Sequence, residues 1–289
     1  MPKLPRSSRL ASPVDTAAHG EYRIVRSPDD PRPLYRFTDR VTEAVPGRYH
    51  VYAGWFCPWS QRTTIALELA GLRDVVSVSY VDNARDGRGW AFRERYGPDP
   101  VNGFTLLRQA YEATEPDFDG HVSVPVLWDR ARGRVLSNDF RTIGIDFATR
   151  FRDVAEPLVE TYPEALREEI EQLDAWLGPA VNHGVQRAAA GDAAARTALL
   201  DAFATLDERL ATRRYLTGPA ITEADIRLWV TLVRYGTGLE EYPHLWAYAR
   251  DLYTVPAFRD TTDFSTFTAP GAPALDWTAP AERPEGVSA

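Results

Sequence analysis

The spacing of apolar residues changes character once along the chain. In the first half it comes in short runs. RYHVYAGW (48–55) alternates and is rich in aromatic and β-branched residues, which predicts a strand. After Pro58, in SQRTTIALELAGL, Ile65, Leu69 and Leu72 recur at helical spacing and Gly71 provides a stop. DVVSVSYV (74–81), VSVPVLWD (122–129) and RVLS (134–137) predict three further strands, the last two joined by the turn-like RARG. A helix is expected over 138–151. Residues 82–120 follow no period and carry Gly87, Gly89, Pro98, Pro100 and Pro116 among many aromatic residues. An irregular insertion of that length inside a compact domain is either functional or disordered.

Beyond Pro157 the period is helical throughout. EALREEIEQLDAWL puts Leu166, Ile170, Leu173 and Leu177 on one face, and ARTALLDAFATLDERL does the same with Leu199, Phe203, Leu206 and Leu210. The next helix has a start signal. Thr222 fits the N-cap, Asp225 three residues on answers the cap backbone, and Ile221 with Ile226 fit a hydrophobic staple. Asp225 therefore reads as a helix-start residue before it reads as a catalytic acid. The element order, strand–helix–strand and then strand–strand–helix, is thioredoxin-like. The expected fold class is α/β plus all-α. An N-terminal extension (1–46) rich in Pro, Asp, Ser and Arg precedes a thioredoxin-like domain (47–152). An all-helical domain (160–262) and a Pro/Thr/Ala-rich tail (263–289) follow.

Composition narrows the classes. A length of 289 residues suits about two domains, and 44% hydrophobic with 26% charged residues is ordinary for a chain with a real core. The net charge of −8 disfavours nucleic acid or an anionic membrane as partner. No apolar run approaches the ~18 residues of a membrane span, and MPKLPRSSRLASPVD has no apolar core for a secretory signal. Lys3 is the single lysine, an arginine bias that reflects a GC-rich genome rather than chemistry. His19, His50, His121, His183 and His244 are scattered without metal-ligand spacing, so no metal is expected. The one cysteine, Cys57, excludes an internal disulfide and fits a reducing cytoplasm.

Candidate chemistry centres on that cysteine, in WFCPWSQRT (55–63). The predicted strand ends at Phe56, and Pro58 suits the first helical position, where its missing N–H costs nothing. Cys57 then falls at the helix N-cap, with unpaired backbone N–H groups and the positive end of the helix dipole aimed at it. Both favour the thiolate, which is the nucleophile. Arg62, one turn on, adds positive charge. Ser60 stands where a dithiol oxidoreductase carries its second cysteine, so a mixed disulfide on Cys57 is cleared only by an outside thiol. A lone cysteine out of context reads as a buried apolar residue; the strand–Cys–Pro–helix setting reverses that preference. Val124-Pro125 is the second local signal, because proline inside an apparent strand is unusual. It is either a cis peptide at the strand's start, with the Val124 backbone open to an extended ligand, or a trans proline on an edge strand. The residues favour neither.

With these motifs the chain resembles the glutathionyl-hydroquinone reductases, the Xi class of glutathione transferases. The matching pieces run in order over 47–264: GRYHVYAGWFCPWSQRT, GWAF, SVPVLWD, SNDF, NHGV, YLTGPAITEADIRLW and YARDLYTVPAFRDTTDF. ITEADIRL is shared by many glutathione transferases, whereas the CPW motif with GRYH before it and GW-x-F after it is specific. The resemblance implies a thioredoxin-like domain followed by a helical one, assembled as a homodimer, in a cytoplasmic enzyme. It implies that Cys57 attacks the sulfur of a thiol-conjugated hydroquinone, releases the hydroquinone and holds a mixed disulfide that a second thiol clears. By the same resemblance Trp90 lines the thiol site, Val124 and Pro125 hold the thiol's backbone, and Asn138 and Asp139 complete that site. Phe56, Trp59, Arg62 and Gln186 are the residues expected in the substrate pocket.

The chain also departs from the family pattern. Asp139-Phe140 stands where the family has Glu-Ser, the pair that grips the γ-glutamyl end of glutathione, and Phe140 brings no hydroxyl. Gln186 replaces a tyrosine after NHGV, the adjacent tyrosines of the tail are absent from DFSTFTAPGAP, and the segment after the Arg-Tyr of LVRYG is shorter. Two explanations fit: mycothiol in place of glutathione, or a different aromatic or electrophilic substrate in a pocket shaped by 82–120. The expected function is a thiol-dependent reductase (thioltransferase) of aromatic S-conjugates, with glutathione or mycothiol as cosubstrate. Two alternatives stay open: a conjugating transferase of secondary metabolism, and a non-catalytic binding protein on the same scaffold.

Overall fold

The computed structural model describes residues 9–24, 29, 31–236, 238–272 and 275–278. Lys3 and residues 279–289 of the expected tail lie outside them. The chain divides into two compact units, Met1–Thr63 with Leu72–Ala155 and Thr64–Gly71 with Glu156–Ala289.

The first unit is built on a four-stranded sheet of β1 (Tyr49–Ala53), β2 (Ser77–Tyr80), β3 (Val126–Asp129) and β4 (Arg134–Ser137), in the order β2-β1-β3-β4. β1 runs parallel to β2, with His50 opposite Ser77, and antiparallel to β3, with Val51 opposite Leu127. β3 and β4 are antiparallel. Every residue of β1 and β3 is buried, as expected of central strands covered on both faces. His50 is therefore fully buried, and its ring nitrogens meet Ser77 Oγ at 2.6 Å and Ser79 Oγ at 2.8 Å on β2. Burial, with the Arg130 charge adding to it, pushes His50 down to about 3, so the ring is neutral.

Helices α2 (Pro58–Leu69), α3 (Arg108–Thr114) and α4 (Phe140–Arg150) follow β1, β2 and β4, and the division between the units passes through α2. Residues 82–120 are ordered around α3. The pattern of the sequence does not show α3, because seven residues make too few turns for an amphipathic repeat. Buried Asp99 organises the approach to it. Its carboxylate accepts from the backbone N–H of Val101 (2.9 Å), Asn102 (3.0 Å) and Phe104 (3.0 Å), and from Tyr52 Oη (3.1 Å). Phe92, Leu107 and Tyr111 then fill the core beside Tyr52 and Trp128.

The described part of the N-terminal extension docks on the same unit. α1 (Thr16–His19) is a single turn capped by Asp15, whose N–H donates to buried Asp86 at 3.0 Å. Arg88 and Arg93 both hold Ser12, and Tyr22 Oη meets His121 Nδ1 at 3.0 Å. Further along, Phe37 exchanges two hydrogen bonds with Asn138, and the N–H of buried Val41 donates to Asp146.

The second unit is helical: α5 (Arg167–Leu177), α6 (Gly184–Ala189), α7 (Ala193–Leu210), α8 (Glu223–Tyr235), α9 (Pro243–Thr254) and α10 (Pro256–Arg259). The stripes Ile170, Leu173, Leu177 and Leu199, Phe203, Leu206, Leu210 meet in one core, which also takes Ile65, Ala66 and Leu69. Gly71 ends that stretch at φ +70°, and a Cβ there would stand 2.4 Å from the Glu156 backbone oxygen, so glycine is required. Thr222 and Asp225 form a capping box at the start of α8. Fully buried Asp225 also accepts from the Leu216 N–H (2.9 Å) and Tyr248 Oη (2.8 Å), which makes it a structural hub. Trp277, from the segment expected as tail, packs on Trp229 (5.4 Å) and Trp246 (4.9 Å). Among the described residues no helix is long and apolar enough to cross a membrane.

Candidate active site

The loop from β1 into α2 is short and tied at several points. The Gly54 N–H donates to Ser60 Oγ at 3.1 Å, and the Cys57 N–H donates to the Gly54 carbonyl at 3.0 Å. The Phe56 ring lies so close to Gly54 that a Cβ there would come within 2.6 Å of it, which explains the glycine. The Cys57 carbonyl accepts the Gln61 N–H at 3.0 Å, the first bond of α2, and Pro58 is the first helical residue. Cys57 thus occupies the N-cap. Ser60, at the place of a second cysteine, is buried and holds the loop to the helix.

Only 8% of Cys57 is exposed. Its Sγ donates to the Val124 carbonyl at 3.6 Å. The Val124-Pro125 bond is cis, so of the two readings of this proline the first holds. The Val124 N–H donates to no group among the described residues, although Val124 is buried. That leaves the Val124 N–H available to water or to an extended ligand. A sulfur and an unengaged backbone donor therefore share one place.

The walls are aromatic. Phe56 packs on Trp90 with ring centres 4.4 Å apart, and the Arg85 guanidinium lies 4.2 Å from the Trp90 ring and 4.2 Å from the Tyr22 ring. Trp59 stacks on Phe140 at 4.5 Å and 20°, the Arg62 guanidinium stands 5.7 Å from the Phe140 ring, and Tyr35 meets it edge-on at 5.4 Å. Asp139 caps α4, and its carboxylate accepts Arg141 Nε at 2.8 Å and Nη2 at 3.0 Å. Asn138 is fully buried. Its Oδ1 accepts the Phe37 N–H at 3.1 Å, and its Nδ2 donates to Tyr111 Oη and Ser123 Oγ, each at 3.3 Å.

The sheet unit thus carries Phe56, Cys57, Trp59, Arg62, Trp90, Val124, Pro125, Asn138 and Asp139. Gln186 lies on α6 in the helical unit, exposed. Sequence reasoning missed Tyr35, Arg85 and Arg141. Tyr35 sits in a stretch whose prolines and charges mark an extension, and no period or motif points to it. Burial raises the Tyr35 phenol, Cys57 raises it further, Arg141 opposes and Asp139 adds.

A thioredoxin-like sheet unit followed by an all-helical unit, with this cysteine at the first long helix, defines a glutathione transferase. The model of the glutathione S-transferase N-terminal domain matches residues 56–148, and that of the C-terminal domain residues 164–251. Glutathionyl-hydroquinone reductase YqjG of Escherichia coli (strain K12) is 35% identical over 240 residues, 75% of this chain and 72% of that protein. The glutathione-bound structure of YqjG aligns with a TM-score of 0.78 at 31% identity, covering 83% of this chain and 89% of that one. Glutathionyl-hydroquinone reductase PcpF of Sphingobium chlorophenolicum is 40% identical over 197 residues, 66% of this chain and 63% of that protein. The Xi-class glutathione transferase of Natrialba magadii aligns with a TM-score of 0.79 at 33% identity, covering 86% and 90% of the two chains. The chain belongs to the glutathionyl-hydroquinone reductase family of Xi-class glutathione transferases, and is an enzyme of that superfamily.

Proposed function

We propose that this enzyme is a thiol-dependent reductase of aromatic S-conjugates such as thiol-conjugated hydroquinones, acting through a mixed disulfide on Cys57. One observation carries the reading: the single cysteine stands at a helix N-cap, its sulfur against the Val124 carbonyl, and the Val124 N–H has no partner among the described residues. The helix start favours the thiolate. The Val124 backbone suits the amide-bearing part of a small thiol. The half-buried rings of Phe56 and Trp59 offer aromatic surface to the conjugate's ring.

The chemistry balances without a second cysteine. The Cys57 thiolate attacks the sulfur of the conjugate in its keto tautomer. A sulfur–sulfur bond forms, the carbon–sulfur bond breaks, and its electron pair passes through the ring to the carbonyl oxygen. The ring leaves as a phenolate and takes a proton. A second thiolate then attacks the cosubstrate sulfur of the mixed disulfide, releasing the symmetrical disulfide and the Cys57 thiolate. Over the cycle one free thiol and the conjugate's thioether sulfur are each oxidised by one electron to the disulfide, and one ring carbon is reduced by two.

Glutathione is the cosubstrate suggested by the relatives. The local site favours a thiol without the γ-glutamyl group, mycothiol being the candidate. The Asp139 carboxylate is taken by the Arg141 guanidinium, so a γ-glutamyl ammonium would have to displace it. Phe140 puts a ring where the family has a hydroxyl. Cytoplasmic residence and a homodimer complete the proposal. The first rests on an unprotected thiol suited to a reducing compartment, the second on the family resemblance, and sedimentation would read the assembly directly.

The test is intact mass after incubation with glutathionyl-hydroquinone and with its mycothiol counterpart. A mixed disulfide on Cys57 is expected from one of them. Cys57→Ser should abolish the adduct and lower turnover by at least about 10³-fold. A Cys57→Ser protein that keeps its turnover would point to a conjugating transferase instead. Faster clearance of the adduct by glutathione than by mycothiol would end the mycothiol assignment.

A further inference from the structure

Phenol hydroxyls in the sheet unit are mostly used internally. Tyr22 bonds His121, Tyr49 the Glu43 carbonyl, Tyr52 Asp99, Tyr96 Asn83 and Tyr111 Ser123. The hydroxyl of half-buried Tyr35 makes no hydrogen bond to any described residue. Its backbone, by contrast, is fixed. Arg36 is held by Glu115 and Asp119, Phe37 by its paired bonds with Asn138, and Thr38 by a bridge to Ser137. The Tyr35 ring stands edge-on to Phe140, and Phe140 stacks face-on against Trp59, two residues after Cys57 in the first turn of α2. This chain of rings carries the phenol to the nucleophile's side of the unit.

The electrostatics agree with that placement. Burial and then Cys57 hold the Tyr35 phenol above its usual range, Arg141 opposing and Asp139 adding. Near neutral pH the group is therefore a protonated donor, and it is close enough to the sulfur for each to feel the other's charge. A donor mounted rigidly and left unengaged beside a nucleophile is preorganised for an acceptor that arrives with the substrate.

We propose that Tyr35 touches the aromatic S-conjugate and donates a hydrogen bond to the ring oxygen that gains charge as the carbon–sulfur bond breaks. This role rests on the reductase reading. When Cys57 takes the conjugate's sulfur, the ring oxygen changes from carbonyl to phenolate while the new disulfide forms. A bond from Tyr35 strengthens along that path, which lowers the barrier rather than merely tightening binding. Clearance of the mixed disulfide by a second thiol moves no charge onto a ring oxygen, so Tyr35 has no part in it. The competing role for the phenol is to bond the Cys57 sulfur itself and hold it ionised.

The experiment compares wild type, Tyr35→Phe and, as a phenol lost outside the site, Tyr96→Phe. In Tyr35→Phe the ring itself is retained, and with it the edge contact with Phe140; a thermal melt matching wild type verifies the fold. Three rates are read: turnover of glutathionyl-hydroquinone and its mycothiol counterpart, clearance of a preformed Cys57 mixed disulfide by free thiol, and alkylation of Cys57 against pH. Tyr35→Phe is expected to lower kcat on the conjugate by on the order of 10²-fold, with clearance and the alkylation profile unchanged. Wild-type kcat in Tyr35→Phe overturns the role alone. So does an alkylation profile shifted to higher pH, which assigns the phenol to the sulfur. A wild-type enzyme that forms no adduct from either conjugate overturns the reductase reading and this role with it.

Discussion

At the scale of single residues, the site is set by what each side chain is already bonded to. Ser60 is a loop clamp because its hydroxyl accepts the Gly54 N–H, and Asn138 fixes the extension through Phe37. Asp139 is the informative case. The residue type fits a grip on an ammonium group, yet its carboxylate is chelated by Arg141, whose side chain is 61% exposed. An exposed guanidinium is held loosely, so removing it should free the carboxylate at little cost to the fold. Arg141→Ala is expected to speed clearance of a Cys57 mixed disulfide by glutathione by roughly tenfold, the worth of one charge-assisted contact, and to leave clearance by mycothiol unchanged. Stopped-flow measurement of both rates checks it. No change with glutathione would mean that Asp139 does not meet the thiol. Cys57 itself was plain from five letters of sequence. The chelation of Asp139 was not, because an arginine two residues after a cap can turn to the carboxylate or to solvent, and the letters do not say which.

At the scale of elements, local chemistry was legible and long-range chemistry was not. The α8 capping box could be read from Thr222 and Asp225 because both partners lie within one turn. That Asp225 also receives Leu216 and Tyr248 depends on elements brought together by folding. α3 escaped notice because it is short and its buried face, Ala110 with Tyr111, shows no repeat. His50 gives the strand pair β1–β2 a measurable signature. Its pKa is pushed from 6.5 to about 3, chiefly by burial, and that of His121 to about 4 by burial with the Arg85 charge adding. Both folded values lie below the unfolded one, so the unfolded chain binds more protons. The stabilisation is complete above pH 6.5 and is lost progressively below it, the loss ending near pH 4 for His121 and near pH 3 for His50. Each histidine contributes a slope of at most about 1.4 kcal/mol per pH unit. Urea unfolding at pH 7, 6 and 5 should show a falling midpoint, and His121→Asn, which keeps a polar partner for Tyr22, should remove about half of that slope. An undiminished slope would mean that His121 is protonated in the fold.

At the scale of the whole molecule, the N-terminal extension changes status. Its composition reads as an arm, yet it carries Tyr22 and Tyr35 to the walls of the site. Buried Asp86 is a central tie on its first part, beside the Arg93 bond to Ser12 and the Tyr22 bond to His121. Arg88 holds this buried carboxyl well below the usual carboxylate range, and the carboxyl also receives the Asp15 N–H. Asp86→Asn should therefore release residues 9–24, with their amide protons exchanging at least about tenfold faster while those of β1 and β3 keep their rates. Equal exchange in both proteins would show that the extension is held by other contacts.

The two-part organisation, the order of the elements and the helix-start position of Cys57 were all legible in the chain, because each is written in neighbours along it. The isomer before Pro125 and the packing of Tyr35 on Phe140, which in turn stacks on Trp59, emerged only on folding. Those depend on segments up to about a hundred positions apart being packed together. Burial and charge at such meeting points are properties of the fold that no local pattern records.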